Sequence, residues 1–170
     1  MKKLSIILKV LICVSAASYC GTAQAQEVYK KGAYEIQFQT LSFEDFGGSG
    51  FYGFGCSFTS IGDRFFGKSH IGADFHISAN YGLSDIKGFL FELGPSYRYD
   101  LTDRIFLNVP VNCMYATLSQ GKQDMDMWMM KVAPTIYAGV GKLCLFIGPQ
   151  WCYNITGSDS NFGLRVGLAF

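Results

Sequence analysis

The stretch that decides the fold is Phe162–Phe170, which reads F-G-L-R-V-G-L-A-F. Successive side chains of an extended strand point to opposite faces, so the large apolar residues here share one face and Arg165 shares the other with small residues. An arginine that faces lipid near the middle of a membrane costs about 2 to 4 kcal/mol. The pattern therefore predicts a membrane strand whose Arg165 faces a polar interior.

The same alternation recurs in seven earlier segments. The clearest is Ile71–Tyr81, where apolar residues alternate with small or polar ones over eleven residues, about the length that a tilted membrane strand needs. Only helices and closed barrels satisfy all their backbone groups in lipid. Eight strands with both ends on one side therefore predict an all-β fold, an eight-stranded antiparallel up-and-down transmembrane β-barrel over residues 33–170.

Two bulges within these strands and two connections between them are predicted. The alternation of the first strand slips near Thr40, which indicates a bulge. A turn is expected at Gly62-Asp63-Arg64 and a polar loop at Ser119–Asp126. Pro110 lies inside the fifth strand, where a closed barrel offers no edge for a missing donor, so a local bulge is expected there as well.

The amino-terminal segment has the features of a cleaved signal peptide. Lys2, Lys3 and Lys9 precede a short apolar run, and Ala23-Gln24-Ala25 has the small residues that signal peptidase prefers, so residues 1–25 are expected to be removed. Residues 26–32 then form a short lead into the barrel. An acylated Cys20 is the alternative, but the preceding Tyr19 is large for such a site. Losing three lysines lowers the formal net charge from +1 to −2, which predicts no nucleic-acid partner.

The side chains predicted to point into the barrel include equal numbers of acidic and basic residues. Seven residues are predicted to form a polar network in the lumen: Glu35, Asp74, His76, Glu92, Arg98, Lys131 and Arg165. We expect Asp74 beside Arg98 or Ser96, and Glu92 near Asn80. An eight-stranded barrel is just wide enough to be filled by side chains, so the lumen is predicted to be plugged, with a narrow channel for small solutes as the alternative. A soluble lipocalin-type barrel would instead turn its apolar face inward.

Aromatic residues of the outward phase lie at two heights. Tyr34, Tyr97 and Tyr99 fall near the inner boundary if the amino terminus is periplasmic. The outer set is Tyr81, Tyr115, Trp128, Trp151 and Tyr153. Two such girdles are expected to anchor the barrel at the membrane interfaces.

Two features of the chain resemble known families. The outward residues of the last strand, Phe162, Leu164, Val166, Leu168 and Phe170, resemble the recognition signal of the bacterial barrel-assembly machinery. The whole pattern resembles the small eight-stranded outer-membrane proteins of the OmpX-like, OmpA membrane-domain and porin-like opacity group. The resemblance implies a monomer in the outer membrane of a Gram-negative bacterium, with outer-membrane lipid, lipopolysaccharide and the assembly machinery as partners. Fold alone does not choose a role, and a structural or surface-interaction role is favoured.

One segment invites an enzymatic interpretation. His76-Ile77-Ser78 resembles the His-x-Ser pair of the outer-membrane lipid A deacylases, with Asp74 or Glu92 as the acid. The pair belongs to the lumenal phase and would not meet lipid, so a hydrogen-bonded lumenal histidine and no enzyme activity are favoured. No metal or cofactor motif is recognised, and no cofactor is expected.

Overall fold

A computed structural model describes residues 32–43, 49–82, 86–120, 123–140 and 143–170. These residues form nine strands: β1 (Gly32–Phe43), β2 (Ser49–Phe66), β3 (Ser69–Gly82), β4 (Ile86–Asp100), β5 (Ile105–Gln120), β6 (Gln123–Val132), β7 (Thr135–Val140), β8 (Leu143–Asn154) and β9 (Ser160–Ala169). Among them there is no helix of the length and hydropathy needed to cross a bilayer. The predicted signal peptide and lead lie outside the described residues.

The strands close into an antiparallel barrel. Each strand from β1 to β5 pairs with the next, and β9 pairs with both β8 and β1. β6 and β7 both lie between β5 and β8 and are separated only by Ala133 and Pro134, so they occupy one position in the wall. The barrel therefore has eight wall positions, and the predicted fold class is confirmed.

The outer surface of the wall is mostly apolar, and the charged side chains at the middle of its height point into the barrel. Burial alternates residue by residue along β8, with Leu145 and Ile147 exposed and Cys144 and Phe146 buried. The charged residues described on the outside lie in turns or near strand ends: Lys68, Lys87, Asp103, Arg104, Asp124 and Asp126. An apolar band thus surrounds a polar interior, as a strand-spanning membrane protein requires.

The predicted bulge near Thr40 is wrong. β1 keeps one continuous register against β2, from Gly32 opposite Ser60 to Phe43 opposite Ser49. Leu41 consequently faces the lumen, where it is buried in an apolar cluster. An apolar residue on the inner face, and no irregularity of the backbone, produced the apparent slip of phase.

Two predicted connections are also wrong. β2 continues past Gly62-Asp63-Arg64, with register shifts between Ile61 and Phe66, and the chain turns at Gly67, which has a φ of 57°. This positive φ suits glycine at the first position of a two-residue hairpin turn. The expected loop Ser119–Asp126 is mostly strand, because β5 and β6 keep one register up to Gln120 opposite Gln123. The Thr117 hydroxyl also donates to Asp126 Oδ1 (2.8 Å) across this pair.

Pro110 causes no bulge. The register between β4 and β5 is the same on both sides of it, from Leu93 opposite Cys113 to Ser96 opposite Pro110. The expectation was wrong because a missing donor can be tolerated without inserting an extra residue.

Candidate functional site in the barrel lumen

The lumen is crossed by one network of ion pairs and hydrogen bonds, which we call the lumenal network. Its first centre is the Glu35 carboxylate on β1, which lies 2.9 Å from Arg165 Nη2 on β9. The same carboxylate accepts hydrogen bonds from the Ser57 hydroxyl (2.7 Å) and the Tyr137 hydroxyl (2.7 Å). These four side chains come from β1, β2, β7 and β9, so they join opposite parts of the wall.

A second centre lies between Glu92 on β4 and Lys131 on β6. Lys131 Nζ lies 2.5 Å from Glu92 Oε2 and 2.7 Å from Oε1, with both side chains almost completely buried. A charge-assisted pair of this kind is stronger than a neutral hydrogen bond. It ties β4 to β6 across the intervening β5.

Asp74 on β3 connects the two centres. The Thr59 hydroxyl donates to Asp74 Oδ1 (2.7 Å) and lies 3.3 Å from Glu35 Oε1. The Asn112 amide donates to Asp74 Oδ2 (2.7 Å) and lies 3.3 Å from Glu92 Oε2. Two neutral side chains thus bridge three carboxylates.

The expected cross-strand partners were wrong in register. Asp74 lies opposite Gly94, and Glu92 lies opposite His76. Shifts of two or four residues preserve the face on which a side chain lies but change its partners, which is why the face was predicted and the pairs were not.

Arg98 lies apart from the centre of the network, at the inner mouth. Its Nε donates to Asp100 Oδ1 (2.6 Å), and its guanidinium lies 3.8 Å from the centre of the Phe106 ring. Asp100 also approaches His70 Nε2 (3.1 Å). The structure buries all seven residues predicted to face the lumen, but Arg98 forms a separate group with Asp100.

Apolar side chains form two clusters in the lumen, an outer cluster toward the β5–β6 connection and an inner cluster toward the opposite end of the barrel. The outer cluster contains Leu41, Leu90, Met114, Ala116, Leu118, Met127, Met129 and Cys152. The inner cluster contains Ala33, Phe106, Tyr137, Cys144, Phe146 and Ala169. Tyr137 belongs to both systems, because its ring stacks on Phe106 at 4.6 Å while its hydroxyl binds Glu35. The central charges thus lie between the two apolar clusters, and polar side chains such as Ser96, Arg98 and Asn108 share the end that holds the inner cluster.

Glycines on the inner face make room for the large lumenal side chains. A Cβ at Gly55 would lie 2.6 Å from the His76 ring, and one at Gly167 would lie 2.6 Å from the Phe146 ring. Both contacts are closer than real Cβ atoms approach. The small residues of the inward phase are thus part of the plug.

The His76–Ser78 pair does not have the geometry of a catalytic dyad. The His76 ring contacts the Gln37 amide, and its Nε2 lies 3.8 Å from Glu92 Oε1. The Ser78 hydroxyl accepts bonds from the amides of Gln39 (2.9 Å) and Asn80 (2.8 Å). Both residues are about 1% exposed. Histidine and serine thus have different partners, within a closed lumen.

The predicted interface aromatics all lie on the outward face. Six are well exposed, namely Tyr34, Tyr97, Tyr99, Trp128, Trp151 and Tyr153, while Tyr81 and Tyr115 are half-buried. Tyr115 packs against Trp128 with ring centres 5.0 Å apart. The four apolar residues Phe162, Leu164, Val166 and Leu168 are exposed on β9, and the backbone of Phe170 pairs with Tyr34 in both directions. Their roles in anchoring and assembly stay predictions.

Five participants in the lumenal network were not predicted from the sequence: Gln37, Ser57, Thr59, Asn112 and Tyr137. All are on the inward phase of their strands, so that phase was the signal that could have identified them. No group of three or more histidine, cysteine or acidic side chains arranged to hold a metal ion occurs among the described residues.

Solved structures identify the fold. Neisserial surface protein A superposes with a TM-score of 0.57 at 16% identity, over 81% of this chain and 95% of that one. Ail of Yersinia pestis gives 0.57 at 8% identity, over 82% and 97%. The outer-membrane enzyme PagL gives 0.55 at 10%, over 80% and 98%. The chain has the fold of the small eight-stranded outer-membrane barrels. No protein-family model matches it, and no curated protein matches it by sequence.

Proposed function

We propose that this protein is an integral outer-membrane barrel with a side-chain-plugged lumen and a structural or surface-interaction role. The apolar outer band and the girdle residues support insertion into a bilayer. The signal-peptide pattern and the final strand support delivery to the outer membrane of a Gram-negative bacterium. The enzyme PagL shares the fold at 10% identity, and that likeness carries no activity to this chain.

The single observation that carries the proposal is the burial of the lumenal network, because the paired side chains of Glu35, Glu92, Lys131 and Arg165 are at most 1% exposed. The pairs Lys131–Glu92 and Arg165–Glu35 cross the lumen. A hydrated pore would have to separate both pairs and also displace apolar side chains of both clusters. A non-conducting barrel is therefore the function class that the geometry favours over a channel.

The β5–β6 hairpin is the best candidate for a surface contact. It extends to the connection at 121–122 and presents the exposed Asp124, Met125 and Asp126. With the amino terminus in the periplasm, this end of the barrel faces the cell exterior. The two aspartates and the exposed Lys87, which lies opposite Ser119, give this surface both signs of charge, which favours a polar partner with complementary charges.

Planar-bilayer conductance of the refolded protein tests the plug. We expect the wild type and an Asp74→Ala variant to be silent, because both ion pairs remain in that variant. Asp74→Asn, which keeps the side-chain volume, is the matched control. Reproducible unitary currents that Asp74→Ala alters and Asp74→Asn alters less would make this protein a channel.

A lipid A deacylation assay tests the enzymatic alternative separately. We expect the wild type and Ser78→Ala to leave the acyl chains of lipid A intact. Release of acyl chains by the wild type, lost in Ser78→Ala but retained in Ser57→Ala, would show that the protein is a hydrolase.

A further inference from the structure

The four prolines of this chain lie side by side across one section of the wall, which we call the proline seam: Pro95, Pro110, Pro134 and Pro149. The register between β4 and β5 places Pro95 opposite Val111, next to Pro110. The pairs Val132–Trp151 and Ile136–Ile147, on either side of the break between β6 and β7, place Pro134 opposite Pro149. The seam thus runs through four neighbouring wall positions.

The backbone hydrogen bonds show which strand each proline nitrogen faces. Ala133 N donates to Pro110 O (3.2 Å), so the backbone nitrogen and carbonyl of Pro110 point toward Ala133. Ile155 N donates to Trp128 O (2.9 Å). The backbone N–H and C=O groups of even-numbered residues in β6 and β7 therefore point toward β8, and those of odd-numbered residues in β8 point toward β6 and β7. Pro134 and Pro149 therefore stand where a ladder would exchange two N–H···O bonds, and neither residue has a donor.

A side-chain donor replaces the backbone N–H that Pro110 lacks. The Thr135 hydroxyl donates to Ala133 O (2.8 Å), the carbonyl that a residue with an N–H at position 110 would bond. At Pro134 and Pro149 both donors are missing from the same pair. The seam is therefore weakest between β7 and β8.

A second, independent observation points to the same strands. The ion pairs and hydrogen bonds that link Glu35, Asp74 and Glu92 take members from β1 to β7 and from β9, whereas the buried Gln150 on β8 donates to Thr40 O on β1 (2.8 Å), away from the β6–β7 wall position. At the level of the seam, β8 presents Gly148 and Gln150 to the lumen, opposite Thr135 and Ala133 of the facing wall. The ladder between β8 and β9 continues without interruption past Pro149. β8 thus has a continuous ladder with β9, whereas its ladder with the β6–β7 wall position is interrupted at the prolines and is supplemented by the Tyr137–Phe146 ring contact (4.9 Å).

We propose that the barrel wall opens laterally at the proline seam, where β8 separates from the β6–β7 wall position while the rest of the barrel stays closed. Separation there breaks the flanking pairs Val132–Trp151 and Ile136–Ile147, but it breaks no ladder bond between Pro134 and Pro149 and no ion pair of the lumenal network. The opening connects the lipid-facing residues Ile136 and Ile147 with the lumenal side chain of Gln150. The plug blocks passage along the barrel axis, and the seam offers a sideways route between lipid and lumen.

Amide hydrogen exchange of the wild-type protein in lipid nanodiscs, read residue by residue by NMR, is the first test. The amides of Val132, Ile136, Ile147 and Trp151, which pair across the seam, should exchange at least about tenfold faster than those of Cys56 and Ile77, which face each other in the continuous β2–β3 ladder. Equal protection at the two sites would overturn the proposal.

The double variant Pro134→Val/Pro149→Val restores both donors at the weakest pair. We expect it to slow exchange at Ile147 and Trp151, which flank position 149 on the side that faces β6–β7, by about tenfold. Pro110→Val is the matched control and should change exchange little, because Ala133 O already accepts the Thr135 hydroxyl. A folded double variant with unchanged exchange would also overturn the proposal. Should the double variant fail to fold, the wild-type comparison decides alone.

Discussion

Replacing Lys131 with methionine removes the cation of the most enclosed ion pair and keeps a side chain of similar length. Glu92 would retain the Asn112 amide at 3.3 Å and the His76 ring at 3.8 Å, both farther away than the 2.5 Å contact it loses. Removing one partner of a buried pair costs about 3 to 5 kcal/mol, because the remaining charge stays buried without compensation. We therefore expect Lys131→Met to lower the free energy of unfolding by about 3 kcal/mol, more than a hundredfold in the unfolding equilibrium.

The double variant Glu92→Gln/Lys131→Met should recover most of that loss. Replacing both members of a buried pair with uncharged groups of similar volume is often neutral or stabilising. Urea unfolding in lipid vesicles provides the measurement, with the fluorescence of the two tryptophans, Trp128 and Trp151, as the signal. The two single variants and the double variant together give the coupling energy.

The refuting result is additivity. If Glu92→Gln and Lys131→Met each destabilise the barrel and their effects sum in the double variant, the two side chains do not form an enclosed pair in the membrane. Thr117→Val, which removes an exposed hydrogen bond to Asp126, is the control for the scale of a surface contact. It should cost less than about 0.5 kcal/mol.

Three further substitutions test other parts of the structure. Gly94→Ala should prevent folding or cost about 3 kcal/mol, because its Cβ would overlap the backbone of β5, whereas a Cβ at Gly139 would meet nothing closer than 3.4 Å. Urea unfolding of Gly94→Ala beside Gly139→Ala checks this, and equal stability would contradict the close approach of β4 and β5. Tyr137→Phe should lower the free energy of unfolding by about 1.5 to 3 kcal/mol, since it removes a donor to a buried carboxylate. An unchanged urea midpoint would show that the hydroxyl bond contributes nothing. Phe170→Ala should reduce the amount of barrel assembled in cells but not refolding in vitro, because its ladder to Tyr34 is made by backbone atoms. Equal assembly of Phe170→Ala and wild type in outer-membrane fractions would contradict a role in recognition.

The sequence predicted the face of the sheet on which each side chain lies better than it predicted cross-strand partners, turns or bulges. The inward assignment of Glu35, Asp74 and Arg165 followed from a period of two, which survives an even shift in register. The turn at Gly62 and the bulge at Thr40 were wrong because each was inferred from a local change of pattern. The pairing with the neighbouring strand decides such irregularities, and that pairing is not written in either strand alone.

The sequence by itself determined that this chain is a closed membrane sheet with a polar interior. It did so through alternation, through Arg165 in the last strand and through the restriction of charge to one phase, because lipid excludes unpaired backbone groups and charges. Only the tertiary structure decided which charges meet, since Glu35 and Arg165 lie 130 residues apart and come together when β9 closes on β1. It also placed the four prolines in one seam. Both results depend on strand register around the whole barrel, which no single strand specifies.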